Sequence, residues 1–217
     1  MKKIRLKALW QSLLFAVILI GFIGGAYISG TFNPNNKTVE NLQDEFHKQE
    51  INKVALLGLK EPAFEYNGPN TFIEAVSKCV DYINFTTERQ NRIPTSIIIA
   101  MAGVESAWGK SRFAIEGNNL FGIRTWDLEN VAHIKPKDIP DAKFGVKVYE
   151  TKCDSVQDMI NILNNHPAYE DFRIERAKQL KKNKWHYQKL LEGIKAWSTN
   201  VKYPAMIYAT IVDKQLP

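Results

Sequence analysis

Cysteine is scarce in this sequence of 217 residues, which contains only Cys79 and Cys153. Two cysteines give a metal site too few candidate ligands, so we expect no bound metal. The same residues could close a disulfide or remain two buried thiols, and the sequence leaves both alternatives open.

Excess positive charge is small outside the N-terminus. The formal net charge is +6, but Lys2, Lys3, Arg5 and Lys7 carry four of these units, which leaves about +2 for the rest of the chain. No nucleic-acid recognition motif is present either. We therefore expect no nucleic-acid partner.

Charge is absent altogether between Lys7 and Lys37. Residues 8–28 are mainly apolar, and roughly 20 such residues are enough to cross a bilayer. The basic flank predicts a cytoplasmic N-terminus, so everything that follows would be exported. We predict a single-pass signal anchor over residues 1–30 in the bacterial inner membrane, with the C-terminal domain in the periplasm or outside. A cleaved signal peptide is the alternative, although residues 24–30 read GGAYISG and offer no A-x-A-like cleavage site.

The rest of the chain divides where its composition changes. Residues 31–69 mix charged and spaced apolar residues, which predicts a linker and an amphipathic stalk. Residues 70–217 predict one mainly α-helical domain with no internal repeat. Its predicted helices cover residues 72–83, 96–106, 156–165, 168–180, 185–196 and 204–214. Residues 126–148 contain prolines and alternating apolar residues, which predicts an irregular or β-hairpin insertion.

Glu105 is the only charged residue within residues 93–109. At helical spacing it shares a face with Ile98, Met101 and Trp108. Apolar surroundings disfavour the ionised carboxylate and raise its pKa, which allows a glutamic acid to keep a proton near neutral pH and donate it to a glycosidic oxygen. The alternative is a glutamate that ends a helix, points to solvent or pairs with a nearby basic side chain, and has no catalytic role.

The residues around Glu105 form a longer motif. AGVESAWG at residues 102–109 is followed by GNNLFGI at 117–123, NNHPAYEDF at 164–172 and STNVKY at 198–203. Over about residues 70–215 the sequence resembles the glucosaminidase domain of glycoside hydrolase family 73, especially its bacterial Bax-type branch. The resemblance implies a lysozyme-like, mainly α fold with a groove for a glycan strand, and Glu105 as the general acid.

The same resemblance implies roles for other residues. The turn at residues 118–123 would line the groove, with Asn119 holding backbone groups and Phe121 packing; such a turn could also lack any ligand contact. Tyr203 matches a family tyrosine across the groove, where its hydroxyl would orient a sugar or the attacking water. The residues assigned to substrate binding all belong to the motif, and they are Trp108, Asn118, Asn119, Phe121 and Gly122. Three further aromatic residues, Trp126, Tyr169 and Trp197, could offer flat faces to sugars or pack in the core.

A second acid is harder to find in this sequence. Many family members use one to activate water, with the two carboxyl groups roughly 6.5 to 9.5 Å apart. Asp138 and Asp141, on the predicted hairpin, are our candidates. If neither reaches the site, the N-acetyl group of the substrate could assist the reaction instead.

These observations predict a peptidoglycan hydrolase that needs no cofactor. The specific prediction is an endo-β-N-acetylglucosaminidase that cuts between N-acetylglucosamine and N-acetylmuramic acid. One alternative is a lytic transglycosylase, which forms an anhydro ring instead of adding water. Another is a catalytically silent scaffold that binds glycan strands and tethers a membrane complex of unknown partners to the wall.

Overall fold

The computed structural model describes residues 2–29, 36–57, 61–137, 139 and 141–217 of the chain. They belong to two compact units, Met1–Leu56 and Leu57–Pro217. The predicted linker at residues 31–35 and the candidate acid Asp138 lie outside the described residues. The predicted domain boundary, with a linker and stalk at residues 31–69 and the main domain at residues 70–217, stays a prediction.

The first unit contains two helices, α1 at Lys2–Ser29 and α2 at Asn36–Leu57. Within α1, Trp10–Tyr27 has a mean hydropathy of 1.7 and is long and apolar enough to cross a membrane. It is a candidate for a membrane anchor or a signal sequence, because both share this length and composition. The predicted amphipathic stalk coincides with α2.

The second unit is mainly helical. Its helices are α3 (Pro69–Thr86), α4 (Thr95–Ser106), α5 (Arg112–Glu116), α6 (Lys152–Asn165), α7 (Glu170–Lys181), α8 (Tyr187–Glu192) and α9 (Tyr203–Asp213). Single 3₁₀ turns occur at Arg89–Asn91, Pro167–Tyr169 and Lys195–Trp197. The predicted mainly α fold is confirmed.

The predicted hairpin insertion is a small antiparallel sheet. Its strands are β1 (Arg124–Thr125), β2 (His133–Ile134) and β3 (Gly145–Lys147), in the order β1-β3-β2. In this register Thr125 lies opposite Gly145, and Ile134 lies opposite Val146. The long connection between β2 and β3 therefore carries Asp141.

Helix α4 lies at the centre of the hydrophobic core. Residues 97–102 are completely buried, because α3 packs on one side of this helix and α9 on another. A helix that is apolar all round is expected in such a position. The buried helix leads to Glu105 in its last turn, where the core reaches the surface.

The predicted helix over residues 185–196 is interrupted. Helix α8 ends at Glu192, and a 3₁₀ turn follows at Lys195–Trp197. The chain bends at Gly193, where a Cβ atom would lie 2.5 Å from the backbone nitrogen of Phe172. The continuous helix was therefore wrong, because this close approach of α7 requires a glycine and a turn.

A disulfide joins Cys79 on α3 to Cys153 at the start of α6, with 5.4 Å between the Cα atoms. This resolves the alternative that the sequence left open. The bond links two core helices across 74 positions of sequence. Disulfides of this kind persist in oxidising compartments outside the cytoplasm.

Candidate active site

A turn of unusual backbone geometry follows Glu105. Ala107, Trp108 and Gly109 all have positive φ angles, of 51°, 59° and 80°. The ring of Tyr66 lies over Gly109, and a Cβ atom added to Gly109 would be 2.5 Å from that ring. The Tyr66 hydroxyl also donates a hydrogen bond to the Gly109 carbonyl at 2.7 Å. Strained backbone persists only where the surroundings hold it, and here it fixes the direction in which the chain leaves Glu105.

Ser106 holds this turn from inside. Its buried hydroxyl donates to the Ala102 carbonyl at 2.5 Å and accepts from the Gly109 amide at 2.7 Å. The motif serine therefore ties the last turn of α4 to the Gly109 amide in the turn that follows. Its place in the motif is explained by the support it gives to the residue before it.

Trp108 packs back onto the end of α4. Its ring covers Gly103, where a Cβ would lie 2.8 Å from the ring, and meets Phe72 edge-on at 6.0 Å between centroids. The Lys214 ammonium lies 5.4 Å from the centre of the ring. Trp108 thus packs between the end of α4 and α3. Its predicted contact with substrate stays a prediction.

The Glu105 carboxyl is partly buried, and this desolvation raises its pKa above the ordinary value. Two donors act in the opposite direction, the Tyr203 hydroxyl and then the Trp197 indole, because both favour the ionised carboxylate. Burial is the larger effect. The surroundings therefore extend to higher pH the range in which Glu105 holds its proton, which is the form required of a general acid.

Tyr203 is the first residue of α9 and is only 3% exposed. Burial raises the pKa of its hydroxyl, and the nearby charge of Glu105 raises it further. The hydroxyl is buried, yet it has no partner at regular hydrogen-bond geometry among the described residues. Its interaction with Glu105 therefore lies outside regular hydrogen-bond geometry. A buried hydroxyl without a close partner is available to a water or a sugar beside the acid.

Trp197 completes the group around the acid. Its ring meets Phe121 edge-on at 6.4 Å and Tyr169 at 6.0 Å between centroids. The sequence indicated Trp197 only as one of three aromatic residues, without a place beside Glu105. The bend at Gly193 puts it there, and a sequence pattern that predicts a continuous helix could not show this.

The turn at residues 118–123 is held by Asn119. This side chain is 1% exposed, donates to the carbonyls of Ile123 and Lys147, and accepts from the amides of Phe121 and Ile123. It holds backbone groups, and these four bonds leave its amide no capacity for a ligand. The structure therefore places Asn119 in support of the turn, and Phe121 against Trp197.

Asn118 and Gly122 have positive φ angles of 52° and 64° in the same turn. Asn118 donates to the carbonyls of Tyr149 and Glu150, and its amide oxygen accepts from the Lys152 ammonium at 2.9 Å. Gly122 is exposed with open space above it. A ligand can therefore approach the backbone at Gly122, whereas Asn118 is engaged with its neighbours.

The described residues bring no second acid into contact with Glu105. Asp141 is exposed in the connection between β2 and β3, and Asp138 lies outside the described residues. Among the described residues no cluster of three or more histidine, cysteine or acidic side chains could hold a metal ion. Both aspartates stay predictions.

A partly buried glutamic acid at the end of a core helix, with a hydroxyl and an indole as its neighbours, has the raised pKa that general-acid catalysis uses. The chain belongs to the glucosaminidase family, because the family model described as mannosyl-glycoprotein endo-beta-N-acetylglucosaminidase matches residues 84–216. That match includes Glu105, the turn at 118–123 and Tyr203.

Individual proteins show the same similarity. The chain is 33% identical over 135 residues to Protein bax of Escherichia coli (strain K12), which covers 61% of this chain and 47% of that protein. It thus spans about half the length of that relative.

Two solved structures resemble the fold. One is the catalytic domain of the autolysin Auto from Listeria monocytogenes, with a TM-score of 0.50 and 22% identity over 77% of this chain and 94% of that one. The other is a peptidoglycan hydrolase from Sphingomonas sp. A1, with a TM-score of 0.51 and 18% identity over 69% and 90%. These likenesses support the predicted lysozyme-like architecture.

Proposed function

We propose that this protein is a peptidoglycan hydrolase, and specifically an endo-β-N-acetylglucosaminidase that cuts between N-acetylglucosamine and N-acetylmuramic acid. The observation that carries the proposal is the Glu105 carboxyl, whose pKa is raised by burial at the end of α4. Membership of the glucosaminidase family supports the reaction class. The two structures of similar fold are an autolysin and a peptidoglycan hydrolase, which supports peptidoglycan as the polymer.

In this mechanism Glu105 donates its proton to the glycosidic oxygen as the bond to the sugar breaks. The leaving sugar departs as an alcohol, and Glu105 becomes a carboxylate that the Tyr203 hydroxyl and the Trp197 indole stabilise. A water then adds to the cationic sugar carbon. The buried Tyr203 hydroxyl, which lacks a close partner among the described residues, orients that water or the sugar.

The water also needs a base, and we propose a carboxylate from the connection between β2 and β3. Asp141 and Asp138 are the candidates. Replacing each with asparagine is expected to reduce turnover strongly at only one position. If neither change reduces turnover, the N-acetyl group of the substrate takes this role.

We further propose that the enzyme acts outside the cytoplasm, held in the inner membrane by α1 with its basic flank on the cytoplasmic side. The apolar segment Trp10–Tyr27 supports this placement, and so does the disulfide between Cys79 and Cys153. Both features fit an enzyme that acts on peptidoglycan outside the cytoplasm.

The test is digestion of purified peptidoglycan by the full chain and by its Glu105→Gln variant, with products analysed by mass spectrometry. Reducing N-acetylglucosamine ends from the parent alone are the expected result. Glu192→Gln removes an exposed carboxylate on α8 and serves as the matched control. Products lighter by one water would identify a transglycosylase, and binding without products from either protein would identify a scaffold.

A further inference from the structure

Trp126 is exposed over 69% of its surface, although a large aromatic residue is normally buried in good part. It directly follows β1. Because Thr125 lies opposite Gly145, the antiparallel register puts Trp126 opposite Phe144. Their rings lie 6.3 Å apart, tilted at 47°. Phe144 therefore supports one part of the indole and leaves the rest to solvent.

A cation lies beside these two rings. Arg124 lies two residues before Trp126, and both side chains contact the Phe144 ring. Its guanidinium lies 4.2 Å from the centre of the Phe144 ring. No carboxylate of the described residues pairs with it. The charge is held in place and remains available to an anion.

This surface continues the turn that borders the acid. Phe121 contacts Trp197, and Trp197 interacts with Glu105. Trp126 is five positions after Phe121, so their Cα atoms lie at most about 18 Å apart. One glycan strand is long enough to cover that distance.

We propose that Arg124, Trp126 and Phe144 form a distal subsite for an acidic amino sugar of the N-acetylmuramyl type. The apolar face of the sugar ring stacks on Trp126, and its lactyl carboxylate, which is free once the stem peptide has been removed, pairs with the Arg124 guanidinium. Phe144 fixes both side chains. The subsite rests on the proposed function only in requiring a glycan strand in the groove, and it sets which sugar lies there.

The test measures binding in the full chain carrying Glu105→Gln, so that turnover is not required. The ligand is a glycan strand freed of its peptides, whose lactyl carboxylates are its anions, and its twin with those carboxylates amidated. Trp126→Ala is expected to weaken binding of both strands by about five- to tenfold, since a buried tryptophan anchor commonly contributes that much. Arg124→Gln is expected to weaken binding of the acidic strand by about two- to fivefold at low salt and to leave the amidated strand unaffected.

Two exposed side chains of the neighbouring connection provide matched controls. Ile139→Ala removes another exposed apolar group, and Lys143→Gln removes another exposed cation; neither is expected to change binding. The thermal midpoint of each variant confirms folding. The proposal is overturned if both subsite variants bind as their parent does, or if Glu105→Gln itself binds no strand. If the wild-type protein releases no products although the strands bind, the proposed function is contradicted and the subsite proposal still holds.

Discussion

Replacing Tyr203 with phenylalanine tests the electrostatics of the site most directly. The change deletes one hydroxyl from a ring that is 3% exposed and leaves the packing of α9 in place. A buried polar group without a partner costs about 1–3 kcal/mol of stability. Since this hydroxyl has no partner at regular geometry among the described residues, Tyr203→Phe is expected to leave the free energy of unfolding unchanged or to raise it by up to about 1 kcal/mol.

The same change is expected to shift the pH dependence. The Tyr203 hydroxyl favours the ionised form of Glu105, so removing it raises the pKa of that carboxyl further. A hydrogen bond to a charged group contributes about 1.5–3 kcal/mol at good geometry; this interaction lies outside regular geometry, so we expect a change of up to about one pKa unit. A general acid acts while protonated. The fall of kcat/KM on the alkaline side should therefore move to higher pH, whatever happens to the maximum rate.

The assay is the pH profile of kcat/KM on soluble glycan strands, measured beside urea unfolding. Tyr208→Phe, on the same helix and also packed against the core, is the control and should change neither. A loss of more than about 1 kcal/mol in Tyr203→Phe would show that the hydroxyl has a strong partner. An alkaline limb that moves to lower pH, or stays in place, would refute the assigned direction.

Three further changes test the surroundings of the acid. Burial raises the pKa of Glu105 in the folded state above its value in the unfolded state. The free energy of unfolding should therefore fall as the pH rises from the unfolded pKa through the folded one. In urea unfolding, Glu105→Gln should lack that fall and be more stable than the parent at neutral pH. Replacing Cys79 and Cys153 with alanine should lower the free energy of unfolding by about 2–4 kcal/mol, since the bond closes a loop across 74 positions. Gly103→Ala should cost about 1–3 kcal/mol and lower activity, because the new Cβ would meet the Trp108 ring at 2.8 Å.

Each of these changes has its own control. Glu192→Gln should leave the pH dependence of stability as in the parent. Gly68→Ala places a Cβ where nothing lies within 4 Å, so it should be tolerated. A reducing agent should lower the unfolding midpoint of the parent and leave the alanine double variant unchanged. Equal stability of parent and double variant, or a fully active Gly103→Ala enzyme, would contradict the assigned contacts.

The sequence predicted those parts of the fold that depend on local pattern. An apolar run with a single charge predicted a helix over residues 96–106, and α4 occupies Thr95–Ser106. Prolines and alternation predicted an irregular or β-hairpin insertion at residues 126–148; β2 and β3 lie there, whereas β1 precedes it. The lone glutamate predicted a desolvated carboxyl, and the raised pKa of Glu105 agrees with it. In each case the neighbours that matter are close in sequence.

The rest of the site depends on contacts between distant segments. Periodicity predicted a continuous helix through Trp197, but Gly193 packs against the backbone of Phe172 and the chain turns there. Trp108 was expected beside Glu105 from helical spacing; the positive φ angles after α4 instead send its ring back over Gly103. Trp108 lies beyond the end of α4, and Trp197 lies beyond the end of α8. Helical spacing does not apply after the last helical residue, so it could not predict the position of either side chain.

Two effects at the end of α4 both raise the pKa of Glu105. Burial disfavours the Glu105 carboxylate, and so does its place in the last turn of a helix, where the backbone carbonyls carry partial negative charge. The donors that offset these effects, Tyr203 and Trp197, come from segments after residue 193. The helix end therefore raises the pKa of the acid, and the C-terminal segments provide the stabilisation that the carboxylate needs once its proton has been transferred.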